Sequence, residues 1–71
     1  MNVELRARYV VVQRTGFVAY FLSVWRDGVD SWDSARSRTL LLDGPTARRI
    51  VAQLSAQRPG APVLPHVEAS A

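Results

Sequence analysis

Cysteine and lysine are both absent from the 71 residues. Without cysteine there is no disulfide, no thiolate metal ligand and no cysteine nucleophile. Without lysine there is no Schiff-base amine and no phosphate-loop ammonium. All nine basic residues are arginine. Histidine occurs once, at His66, so one chain cannot assemble a multi-histidine metal site or a histidine-rich catalytic centre. Long apolar runs are missing too. The longest, Gly16 to Trp25, is about ten residues, and a membrane-spanning helix needs about twenty. The start lacks the basic region and apolar core of a secretory leader. A cytoplasmic chain with no membrane partner is the expectation. Glycine-rich phosphate loops and the H-E-x-x-H pattern do not occur, and no internal repeat is visible.

What is present describes one small folded domain. The apolar fraction of 48% is that of a globular chain. A domain this small buries only about 60% of the surface its unfolded chain exposes. With no disulfide, a partner subunit or other partner is the natural supplement to its stability. Six carboxylates oppose nine arginines, for a formal charge of +3. That balance suits an acidic protein or a nucleic acid as partner.

Residues 3 to 14 alternate and then turn β-branched, which predicts a strand. Thr15-Gly16 is a turn signal. Residues 17 to 26 carry Phe17, Tyr20, Phe21 and Trp25 among valine and leucine, which predicts a second strand. Asp27-Gly28 is a strong hairpin signal, and a short third strand follows from Val29 to about Trp32. Residues 33 to 38 are small and polar and read as a connection or a single helical turn. Thr39 to Leu42 is a short apolar run. Asp43 then reads as a helix N-cap with Pro45 in the first turn. Ala47, Ile50, Val51 and Leu54 form one helical face, and Pro59-Gly60 stops the helix. Residues 59 to 71 hold prolines without periodicity and read as a flexible tail. The expected fold is α+β: a three- to four-stranded antiparallel sheet with one C-terminal helix packed on one face. Residues 1 to 58 form the domain.

A hairpin at Thr15-Gly16 assigns the faces. One carries Leu5, Ala7, Tyr9, Val11, Val18, Tyr20, Leu22 and Val24, and seats the helix. The other carries Arg6, Arg8, Val10, Val12, Arg14, Phe17, Ala19, Phe21 and Trp25. Continuing the alternation through Asp27-Gly28 adds Asp30 and Trp32 to this second face. It is too apolar for plain solvent surface and too rich in arginine for a core. Arg6, Arg8, Arg14, Phe17, Phe21, Trp25 and Trp32 are therefore the candidate binding residues. Arginine and aromatic side chains on one sheet face can stack bases and meet phosphates. They can equally cover one another in a partly buried face or a two-fold dimer interface.

Other clusters carry less. Asp27, Asp30 and Asp33 are spaced carboxylates, but no bidentate glutamate closes a calcium loop, and a turn explains them better. His66 has no neighbour in sequence with which to ligate. Ser34 and Ser37 have no base near them. No cofactor, no metal and no enzymatic activity are expected.

Tyr9-Val10-Val11-Val12, then Trp32, Ser34-Ala35 and Ala47-Arg48-Arg49-Ile50, follow one another in an order that resembles small phage- and prophage-encoded sheet-plus-helix proteins, anti-CRISPR proteins among them. The likeness spans roughly residues 8 to 54. In that group an aromatic usually follows the Ser-Ala turn; here Leu40 to Leu42 stand in its place. What the resemblance implies is a non-enzymatic inhibitor that binds a host protein or nucleoprotein complex in the host cytoplasm and blocks it. A single-stranded nucleic-acid-binding module and a structural homodimer are the other expectations for the same face.

Overall fold

Residues 8–70 are described by the structure, a computed structural model. Strand β1 (Arg8–Thr15) turns into β2 (Val18–Arg26) through Gly16-Phe17. Thr15 pairs with Val18 and Val12 with Phe21. Only Gly16 of the two turn residues has positive φ, at 60°, the mark of a type II′ turn. The turn thus sits one residue later than Thr15-Gly16. Strand partners move by two, so residues keep their faces. The second turn is the expected one. Asp27 and Gly28 have φ of 54° and 77°, the paired positive values of a type I′ turn. It leads into β3 (Val29–Asp33).

The β2–β3 ladder contains an irregularity. Leu22 pairs with Trp32, but the next pair is Val24 with Ser31. Ser23 is the extra residue of a β-bulge, and its hydroxyl donates to the Ser31 carbonyl at 3.2 Å. A bulge inserts one residue against the period of two, so alternation changes phase beyond it.

The polar link after β3 begins with Asp33, whose Oδ1 accepts the Ala35 N–H at 2.7 Å. A single 3-10 turn follows at Arg36–Arg38. The three-leucine run then takes an unexpected place. Leu40 N–H donates to the Leu22 carbonyl at 2.9 Å, while Leu42 and Tyr9 exchange backbone bonds of 2.9 and 2.8 Å. The paired register of β1 and β2 stops at Val12 and Phe21. Residues 40–42 fill the gap where the two strands part. Leu40 and Leu42 pack on the core beneath the helix, which turns Leu41 to the opposite side.

Helix α1 (Gly44–Gln57) has Asp43 as its N-cap, with Oδ1 accepting the Thr46 N–H at 2.7 Å. Ala47, Ile50 and Leu54 are buried, the face its spacing dictated. A Cβ on Gly44 would lie 3.3 Å from the Tyr9 ring and 3.0 Å from the Arg48 guanidinium, so glycine permits the close approach of helix and sheet there. At the other end, Gly28 lies near Gln57. The helix therefore spans the end of the sheet that holds the start of β1 and the β2–β3 turn. The far end of the β1–β2 hairpin lies outside it. Tyr20 and Val18, on the helix side, remain 44% and 46% exposed.

The helix is not C-terminal. After Pro59-Gly60 the chain returns and forms β4 (His66–Ser70), antiparallel to β1. The sheet order is β3-β2-β1-β4. This corrects the expectation of a flexible tail over 59–71. Pro65 is buried, Val67 packs on the core, and α1 rests against β1 and β4. Five residues with one core-facing valine carry too little pattern to declare a strand. The open edge of β1 declares it for them.

Candidate interaction face

Two apolar clusters lie on opposite sides of the sheet. Beneath the helix, Val11, Leu22, Ala47, Ile50 and Leu54 are buried, with Tyr9, Trp25, Trp32, Leu40, Leu42, Val51 and Val67 packed around them. On the other side Val10, Val12 and Phe21 are buried, with Ala19 against them.

Trp25, Asp30 and Trp32 are the main correction. Alternation without a bulge placed them on the face away from the helix. Ser23 reverses the phase, and all three lie on the helix side. There they serve the fold. Trp32 Nε1 donates to Asp30 Oδ2 at 2.6 Å. Arg58, the C-cap residue of α1, donates Nη2 to both Asp30 oxygens at 2.9 and 3.0 Å.

The other candidate residues separate by role. Arg6 lies outside the described residues. Phe17 occupies the turn and is fully exposed. Phe21 is 5% exposed, with the Arg36 guanidinium 5.5 Å from its ring centroid, within cation–π range. Arg14 binds Glu68 through Nε and Nη2 at 2.7 and 2.8 Å. Glu68 pairs with Val10, not with a residue near Arg14. The Arg14 side chain must therefore run back along β1 past Val12, its stem covering apolar surface. His66, opposite Val12, stands 2.6 Å from Glu68 through Nε2. The Arg14 hydrogen bond is the largest cause lowering the Glu68 pKa to about 2. His66 adds to it, and desolvation opposes both.

Exposed surface on this side is made by residues that alternation concealed. Val24 follows the bulge, Val29 pairs with Arg26 after the turn, and Leu41 sits between two buried-side leucines. They are 46%, 62% and 52% exposed. Arg8, Arg26 and Arg36 are exposed on the same side. None of the three has a carboxylate partner among the described residues. Of the carboxylates near the strands, Asp30 is engaged by Arg58, Asp33 by Arg38 at 3.4 Å and Glu68 by Arg14. The Asp27-Gly28 register pairs Arg26 with Val29, but unbroken alternation puts both on the helix side, and only the bulge brings them here. Leu41 and Arg36 had no local signal.

Among the described residues, the aromatics expected to form a base-stacking row on this face are dispersed: Phe21 is buried, Phe17 stands at the turn, and both tryptophans pack on the helix side. Asp27, Asp30 and Asp33 do not converge. Among the described residues, no group of three or more histidine, aspartate or glutamate side chains is placed to hold a metal ion. None of their helices is long and apolar enough to cross a membrane. No protein-family model, curated protein or solved structure matches the chain.

Proposed function

We propose that this chain is a non-enzymatic binding protein, a phage or mobile-element inhibitor that occludes a host protein or nucleoprotein complex with the sheet face opposite the helix. One observation carries the reading. Val24, Val29 and Leu41 are exposed on a face that also bears Arg8, Arg26 and Arg36, three guanidiniums with no carboxylate partner among the described residues. Apolar contact area beside polar arms is the anatomy of a protein interface. Arginine is among the residue types that dominate binding energy there. Its fixed fork also matches carboxylates or phosphates on the partner. The inhibitory role rests on the resemblance of residues 8 to 54.

The test is affinity capture from host lysate, with and without nuclease, using the wild-type chain and a chain carrying Arg8→Glu, Arg26→Glu and Arg36→Glu. A nuclease-resistant protein lost with the charge-reversed chain is the expected result. Recovery of nucleic acid alone would transfer the face to the single-stranded nucleic-acid reading. Equal capture by both chains would remove the face from the function.

A further inference from the structure

The β1–β2 turn is a second exposed apolar feature, at the end of the sheet that the helix leaves bare. Phe17 is at 108% of its reference exposure, and Val18 beside it and Tyr20 on the helix side are 46% and 44% exposed. Folding does not require a phenylalanine there. Nothing in the core touches it, and the second central position of a type II′ turn makes no demand for an aromatic. The turn is nevertheless well held. Gly16 supplies the positive φ of 60°, and Thr15–Val18 pairing closes the loop at two residues. The ring is displayed on a preformed backbone, which lowers the ordering cost of placing it in a partner.

We infer that Phe17 is an anchor that inserts, with Val18 and Tyr20 at its rim, into an apolar and uncharged pocket on a protein partner. The charge of the arm selects this occupant. Between Gln13 and Tyr20 the single ionic side chain is Arg14, and its guanidinium is held by both oxygens of Glu68. Apolar wedges that open nucleic-acid steps work beside free cations on the flanking phosphates. This arm presents none. A neutral knob of one large ring and two smaller apolar contacts fits a concave apolar site instead, the geometry of an interface hot spot. The inference is independent of the arginine face, because the turn lies at the opposite end of the strands from Arg8 and Arg26.

The test replaces Phe17 with p-benzoylphenylalanine in the full chain and irradiates it in nuclease-treated and untreated host lysate. Excess unlabelled wild-type chain and excess Phe17→Ser chain serve as competitors. Full exposure of the ring predicts an unchanged thermal midpoint for Phe17→Ser, which establishes that the competitor is folded. The expected result is one nuclease-resistant protein adduct, mapped by mass spectrometry to a patch of apolar residues. Wild-type chain suppresses it, and Phe17→Ser competes at least about tenfold less well. Three results overturn the inference: a nuclease-sensitive adduct, an adduct to a second copy of this chain, or equal competition by both chains. Absence of any suppressible adduct overturns it as well.

Discussion

Arg58 locks the end of the helix to the start of β3 through Asp30. The guanidinium donates to both carboxylate oxygens at 2.9 and 3.0 Å, and the Trp32 indole donates to one of them at 2.6 Å. The Asp30 side chain is 8% exposed, whereas Arg58 is half exposed. The two partners therefore differ in what their loss leaves behind. Asp30→Ala strands the Trp32 N–H in a partly buried site and is expected to cost about 1–3 kcal/mol. Arg58→Ala leaves the carboxylate its indole bond and is expected to cost about 1 kcal/mol or less. Thermal midpoints check the order, since about 1 kcal/mol moves the midpoint of a domain this size by about 4–8 °C. A larger loss in Arg58→Ala than in Asp30→Ala contradicts this account.

Trp25 lies under the helix, so its removal should damage folding before binding. Trp25→Ala is expected to cost about 3 kcal/mol, visible as a lower urea midpoint. Deletion of Ser23 should be milder. Without the extra residue the pairs Leu22–Trp32, Val24–Ser31 and Trp25–Asp30 run on as a regular ladder, and each of these residues keeps its face. Cooperative unfolding retained in the deletion is the expected result. Its loss means the bulge contributes to the sheet beyond setting this register.

Helix docking should dominate the stability. Leu54 is 2% exposed in the main cluster, and Leu54→Ala is expected to cost about 2–5 kcal/mol. That is a large share of the stability of any small domain. Circular dichroism at ambient temperature, with and without a stabilising osmolyte, measures it.

The residues after the helix stop should be required. Removing 59–71 strips β4 from β1, unburies Val11 and deletes Glu68 from beneath Arg14. A midpoint lowered by more than about 8 °C is expected, the shift of at least about 1 kcal/mol in a domain this size. A truncated chain that melts with the full-length one shows that β4 contributes nothing.

Glu68 predicts the acid limb of stability. Its pKa is lowered from 4.5 to about 2, chiefly by the Arg14 hydrogen bond. A carboxylate depressed in the folded state binds its proton more readily when unfolded. Its contribution is therefore full above about pH 4.5 and disappears as pH falls towards 2. The midpoint of the wild type should drop across that window more steeply than that of Glu68→Gln. Parallel curves mean the Arg14 contact is absent in solution.

Much of the fold was legible in the residues because its signals are local. Gly16, Asp27-Gly28, Asp43 with Pro45, and the Ala47–Ile50–Leu54 spacing each constrain φ, a cap or a face within a few residues. An antiparallel sheet with one helix on its Tyr9 and Leu22 side follows from them. The bulge at Ser23 left no such mark, since serine is unremarkable in a strand, and one unrecognised residue reversed the positions of Trp25, Asp30 and Trp32. Leu40 to Leu42 and His66 to Ser70 were decided elsewhere in the chain. A strand makes no hydrogen bonds within itself, so it exists only where another strand offers an edge. For β4 that edge is β1, and the Arg14–Glu68 pair that straps them together joins residues 54 apart. The candidate face shares the same history. Arg8 was placed by alternation, while Arg26, Arg36, Val24, Val29 and Leu41 came together only when the bulge, the gap between β1 and β2 and the 3-10 turn set their directions.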